Sequence, residues 1–161
     1  MTEITLRDIA AGDVAWLTRV HAELYAESDG FDASFGPLVA QILDDFQRDR
    51  DPSCERAFIA ERGGTRLGSV FCVRSGAPGF AKLRLFVVLP EARGQGLGRR
   101  LLESCIGYAK CAGYRELRLW THASHEAACA LYRRRGFALM AEKPVHNFGR
   151  DLIEQTRSLA L

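Results

Sequence analysis

One stretch constrains this chain more than any other: Leu85-Phe86-Val87-Val88-Leu89-Pro90-Glu91-Ala92-Arg93-Gly94-Gln95-Gly96-Leu97-Gly98-Arg99-Arg100. A β-branched apolar run stopped by Pro90 reads as a strand. Beyond it, three glycines at alternate positions lead into a helix from about Gly96 to Ala112. Leu97, Leu101, Cys105, Tyr108 and Ala109 are its expected buried face, and Gly113 is its stop. Glycine lacks Cβ, so backbone N–H groups in such a turn can approach a ligand closely. The positive end of the helix dipole adds attraction, and Arg93, Arg99 and Arg100 add charge. The turn is therefore an anion cradle of the kind that suits a pyrophosphate.

The rest of the chain is organised around that turn. Ile4 to Ile9 reads as a short strand. A helix opened by Asp13 as N-cap follows, with Val14, Leu17, Val20 or His21, and Leu24 at helical spacing. Gly30, Gly36 and Pro37 break the segment Ser28 to Pro37. A second amphipathic helix then places Leu38, Ile42, Leu43 and Phe46 on one side. From Ala57 the period becomes two, and Arg62-Gly63-Gly64-Thr65 reads as the turn of a β-hairpin. After the glycine turn and its helix come a strand at Glu116 to Thr121 and a helix capped by Ser124 and ended at Gly136. Two last strands follow at Phe137 to Glu142 and roughly Asp151 to Leu159. The order β-α-α-β-β-β-α-β-α-β-β mixes hairpins with crossovers. It predicts a mixed α/β (α+β) fold, with a mostly antiparallel sheet of six or seven strands and about four helices on both faces.

Composition narrows the class. A chain of 161 residues has the length of a single domain, 1–161. Net charge is +2, too balanced to argue for nucleic acid. No apolar run approaches the roughly 20 residues of a membrane span, and MTEITLRD is too polar for a signal peptide. A cytoplasmic location without membrane association is the expectation. The five cysteines (Cys54, Cys72, Cys105, Cys111, Cys129) are an odd set without CxxC, which fits buried reduced thiols rather than a disulfide framework or metal site.

The glycine turn lacks the Gly-Lys-Ser/Thr of a P-loop. A dinucleotide fingerprint fails too, because its third glycine would fall on Arg99 or Leu101. Instead Arg93-x-x-Gly96-x-Gly98, after a strand and a proline, resembles the acetyl-CoA signature Q/R-x-x-G-x-G/A of the GNAT N-acetyltransferase superfamily. Ala130-Leu131-Tyr132-Arg133-Arg134-Arg135-Gly136-Phe137 is similar to that superfamily's second signature, L-Y-x-x-x-G-F, and the element order follows its fold along essentially the whole chain. More narrowly, Leu119-Trp120-Thr121-His122, His146-x-Phe148-Gly149-x-Asp151-Leu152 and Gln155-Thr156 resemble the acetyltransferase half of fused MarR-type regulator–acetyltransferase proteins, with no winged-helix half in this sequence.

The resemblance implies acetyl-CoA as donor and direct acetyl transfer to a primary amine in a ternary complex. The acceptor would be a small-molecule amine, an amino acid or a peptide. It assigns cofactor binding to Val88, Arg93, Gly94, Gln95, Gly96, Leu97, Gly98, Arg99 and His125, with the Val88 main chain donating to the thioester oxygen. Tyr132 matches the family tyrosine that protonates the departing thiolate. Many relatives carry a glutamate on the strand before the turn, whereas this chain has Lys82-Leu83-Arg84-Leu85. The base is therefore water, His122 or His125, with Glu23 a weaker candidate. The acceptor is expected against the first two helices, where Tyr25 and Phe31 stand with His21, Asp32 and Phe35, together with His122, and Arg84 can read a carboxylate. No cysteine stands in a nucleophile setting, which argues against an acyl-enzyme. A homodimer is compatible with the sequence. An acyl-CoA sensor without turnover is the alternative from another class.

Overall fold

The chain forms twelve elements in the computed structural model, which describes residues 3–161. They are β1 (Thr5–Arg7), α1 (Asp13–Asp29), α2 (Phe35–Asp49), β2 (Arg56–Arg62), β3 (Thr65–Arg74), β4 (Phe80–Val88), a single 3-10 turn (Pro90–Ala92), α3 (Leu97–Cys111), β5 (Glu116–His122), α4 (Glu126–Arg135), β6 (Ala138–Asn147) and β7 (Arg150–Ala160). The strands make one sheet in the order β1-β2-β3-β4-β5-β7-β6, antiparallel except between β4 and β5. The mixed α/β class expected from the sequence is the one adopted. Gly63 and Gly64, both at positive φ, make the two-residue turn of the β2–β3 hairpin. Among the described residues, no helix is long and apolar enough to cross a membrane.

Each face of the sheet has its own core. Leu97, Leu101, Leu102, Cys105, Ile106 and Ala109 of α3 pack with Ala81, Leu83, Leu117 and Leu119, and α4 joins through Tyr132. On the other face, Trp16, Leu17 and Val20 of α1 and Val39, Leu43 and Phe46 of α2 cover Ala57, Ile59, Phe71 and Val87. Leu102 and Ile106 are thus part of the α3 stripe and Tyr108 only borders it, which shifts the expected face by a fraction of a turn.

Two departures from a regular sheet shape the middle of the molecule. Opposite β3 the register of β4 slips by one residue, and Leu85 adopts φ 48°. This is a β-bulge, held by the Ser69 hydroxyl donating to the Leu85 carbonyl at 2.7 Å. The second departure lies on the other edge of β4. It pairs with β5 only over Phe80–Lys82 against Glu116–Arg118, while β5 stays paired with β7 as far as His122. The two parallel strands therefore part beyond Lys82, and a notch opens in the sheet.

Several expected details are corrected. Asp13 does not cap α1: Gly12 holds the cap position at φ 87°, and Asp13 is fully buried as the acceptor for Arg7, Arg66 and the Ala10 N–H. Ser124 does not cap α4, whose cap residue is His125. Leu38 lies exposed while Val39 takes the buried position, and Cys111 is exposed while Cys72, Cys105 and Cys129 are buried thiols. The last hairpin is longer than its apolar pattern indicates, because β6 is an exposed edge strand whose residues alternate little in polarity.

Candidate active site

The glycine turn sits at the mouth of the notch. Gly94 and Gly96 both have φ 77°, a backbone that an L side chain rarely adopts. A Cβ at either would meet nothing within 4 Å, so the space over the turn is open. The first helical bond of α3 is Arg100 N–H to the Gly96 carbonyl, which leaves the N–H groups of Leu97, Gly98 and Arg99 without helical partners. Gly98 lies where a Cβ would press on Leu131 of α4 at 3.2 Å, so its smallness lets α3 and α4 meet. Gln95 accepts from Arg62 and donates to the Glu91 carbonyl. Arg93 and Arg99 are exposed, but Arg100 is turned away and donates to the Ile4 carbonyl, so it does not supply charge to the cradle. The site thus fits a diphosphate-bearing donor.

At the end of β4, Leu89 N–H donates to the Leu67 carbonyl of β3. Successive N–H groups of a strand point to opposite edges, so Val88 N–H is directed into the notch. The Arg93 guanidinium donates to the Val88 carbonyl at 3.3 Å. Gly68 supports this position from β3: a Cβ there would collide with the Val87 carbonyl at 2.6 Å. Tyr132 is buried between Phe86 and Phe137, at ring distances of 6.1 and 5.6 Å. Burial, with Tyr25 and Cys129 nearby, pushes its phenol well above the ordinary tyrosine value.

On the α1–α2 side the expected residues come together. Tyr25 lies 4.9 Å from the His125 ring, 5.5 Å from Phe31 and 5.0 Å from Phe35. Phe31 in turn meets His122 edge-on at 5.8 Å. Burial and Asp29 push Tyr25 up to about 12, against the opposing charge of Arg93. Tyr25 thus lies within electrostatic range of Arg93 at the glycine turn and of Tyr132. His125 is held at both ring nitrogens, with Asp29 on Nε2 and the Thr121 hydroxyl on Nδ1. His122 stands edge-on to His125 at 5.5 Å, and its pKa is lowered by burial and by that neighbour, against Glu154 and Asp29.

Three contributors were given no site role by the sequence analysis. Asp29 precedes the terminating Gly30 of α1, and its carboxylate is buried on His125. Thr121 completes that contact. Phe148 is the third: with Gly149 it forms the positive-φ turn of the β6–β7 hairpin, 4.8 Å from Phe31 and 4.9 Å from Phe35. The Asp32 N–H donates to the Phe148 carbonyl, tying the α1–α2 connector to the hairpin tip. The Asn147-Phe148-Gly149 sequence was the available turn signal. Arg84 lies apart from the cluster, in a groove beside α2 with Asp45 and Phe46. Glu23 is exposed beside Arg19.

The glycine-lined helix N-terminus and the buried tyrosine that carry the resemblance to N-acetyltransferases thus stand together where the sheet parts. Residues 20–137 match the Acetyltransferase (GNAT) family, and the chain belongs to that family of acetyl-CoA-dependent N-acetyltransferases. It is 34% identical over 116 residues to an IAA acetyltransferase of Azospirillum brasilense, covering 72% of this chain and 75% of the relative. It is 31% identical over 139 residues to a mycothiol acetyltransferase of Streptomyces avermitilis, covering 84% of this chain but only 43% of that larger protein. An acetyltransferase from Salmonella typhimurium, solved with its cofactor acetyl-CoA, shares the fold at TM-score 0.75 and 21% identity over 98% of this chain and 94% of its own.

Proposed function

We propose that this single domain moves the acetyl group of acetyl-CoA to a primary amine by direct attack in a ternary complex. The observation that carries the proposal is the notch: an unpaired edge of β4, with Val88 N–H directed into it, Tyr132 on one face and the Tyr25–His122 cluster on the other. Acetyl-CoA supplies a thioester. The free N–H groups from Gly94 to Arg99 are the diphosphate holders, Leu97 and Gly98 by their backbone, with Arg93, Gln95 and Arg99 around them. Val88 N–H stabilises charge on the carbonyl oxygen as a fixed dipole. Binding both reactants together removes much of the entropic barrier.

The amine nitrogen bonds to the acetyl carbon as the carbon–sulfur bond breaks. The proton lost from nitrogen goes to a base, and the Tyr132 hydroxyl gives one to the leaving sulfur, both being exchanged with solvent afterwards. His122 is the better base of the two histidines, because Asp29 and Thr121 already engage both nitrogens of His125. His125 holds Tyr25 and the cluster in place; Tyr25 and Phe31 form the wall against which the acceptor lies. No cysteine is needed for this route.

Mass-spectrometric measurement of CoA release over a panel of amines, amino acids and lysine peptides tests the proposal. Acceptor-dependent release is the expected result. A regulatory module that binds acetyl-CoA without turnover would stay silent while binding the donor. Replacing His122 by glutamine is expected to lower kcat roughly 10²-fold or more. Because the His122 pKa is lowered, the neutral base persists below pH 6.5. The acid limb that His122 contributes to the kcat/KM profile therefore lies below 6.5 in the native enzyme and is lost in the variant. A limb unchanged by His122→Gln would assign the base to water.

A further inference from the structure

Two cations of β4 have no counterion among the described residues. Ala81 and Leu83 point into the α3 core, so Lys82 and Arg84 share the opposite face, the one that carries α1 and α2. Neither is hydrogen-bonded or ion-paired to a carboxylate among the described residues, although both are half-buried. The acid closest in effect to Arg84 is Asp45, whose carboxylate already accepts from Arg48 and Gln41 at 2.8 Å each. Lys82 Nζ rests instead 4.4 Å over the ring of Trp120. Burial lowers the pKa of both groups, and Arg84 lowers that of Lys82 further. Like charges placed on one face of a strand without counterions destabilise it, so this pair has a cost that packing does not explain.

Its surroundings connect it to the reaction site. Arg84 opens into a groove of about 220 Å³ between α2 and the sheet, walled by Ile42, Phe46 and Leu85; the carboxylates that also line it, Asp45, Asp49 and Glu55, are already engaged by Arg48 or Arg74. Trp120 and His122 lie on the same face of β5, two residues and so about 7 Å apart. Trp120 is 44% exposed, since α2 stops short of β5 and leaves this part of the face uncovered. His122 and Trp120 of β5 and Lys82 and Arg84 of β4 therefore share one face of the sheet, joined where Lys82 meets Trp120.

We propose that Arg84 and Lys82 form an anion subsite, and that the acceptor is an amine carrying a carboxylate several bonds from its nitrogen. The inference rests on the acetyl-transfer reading and names its substrate class. A neutral or cationic amine leaves the two charges uncompensated, whereas a carboxylate makes charge-assisted hydrogen bonds with Arg84 in its groove and is attracted by the charge of Lys82 on the same strand face.

The experiment compares kcat/KM for amino acids, ω-amino acids and short acidic peptides with their own carboxamides, pair by pair over a range of chain lengths. Acids are expected to exceed amides by roughly tenfold to a hundredfold. That ratio falls toward one in Arg84→Met and part of the way in Lys82→Met, with acetyl-CoA affinity and Tm measured on each variant to show that the fold is intact. Acids and amides turned over equally, or a ratio that survives both substitutions, would overturn the anion subsite alone. Absence of CoA release with every amine would overturn the acetyl-transfer reading and this inference with it.

Discussion

Tyr132→Phe is expected to lower kcat by roughly 10²–10⁴-fold, the usual contribution of a positioned acid, while the Kd for acetyl-CoA and the Tm stay close to native. The substitution keeps the ring between Phe86 and Phe137 and removes only the hydroxyl, so packing of the α3–α4 core is preserved. What is lost is the proton for the leaving sulfur. The elevated pKa of Tyr132 keeps the phenol protonated through the neutral range, so no basic limb below pH 10 is assigned to it. Single-turnover CoA release, measured beside calorimetric donor binding, separates the two effects. Native turnover in the phenylalanine variant would mean that solvent protonates the thiolate and that Tyr132 serves packing alone. Loss of donor binding together with turnover would assign the hydroxyl to cofactor recognition.

What the sequence disclosed follows from how local each signal is. The glycine turn, the Gly63-Gly64 hairpin and the helical stripes of α2 and α3 are set by neighbours within a few residues. Each was legible because glycine conformation and apolar spacing are local properties. Tyr25, Phe31, His122 and His125 could be named singly from resemblance, but nothing in their spacing shows that Asp29 binds His125 across 96 positions of chain. The bulge at Leu85 carries no glycine and no turn residue. It is imposed by β3, where Ser69 ties down the Leu85 carbonyl and Gly68 leaves room for that of Val87. The parting of β4 from β5 is likewise a property of the whole sheet. Both features direct Val88, which is why its residue type was readable and its geometry was not.

Asp13 presents the same contrast in energetic form, and its replacement is expected to have a large effect on stability. Read locally it is a helix cap. In the fold it is fully buried and accepts from Arg7 at 2.8 Å, from Arg66 at 2.7 Å and from the Ala10 N–H at 2.6 Å, so one carboxylate fastens β1 and β3 to the start of α1. Removing one partner of a buried pair costs about 3–5 kcal/mol. The side chains of Arg7 and Arg66 are each about 30% exposed and recover some hydration, which places Asp13→Asn near the lower end, about 3 kcal/mol. For a chain of this length that is a fall in Tm of roughly 6–12 °C. The pH dependence identifies the cause. Burial opposes ionisation of Asp13, but its hydrogen bonds from Arg7, Ala10 and Arg66 prevail and hold its pKa down to about 2, against 3.8 unperturbed. Between those values the unfolded chain binds more protons than the native one, so stability rises with pH there. The contribution is complete above about pH 4 and is lost as pH falls through about 2. Urea titrations across that window should show the native protein losing stability while the asparagine variant loses less, so that the gap between them narrows on acidification. A gap independent of pH would mean that Asp13 acts through packing, and that the charge at the head of α1 contributes nothing to holding the helix that carries Tyr25 and Asp29.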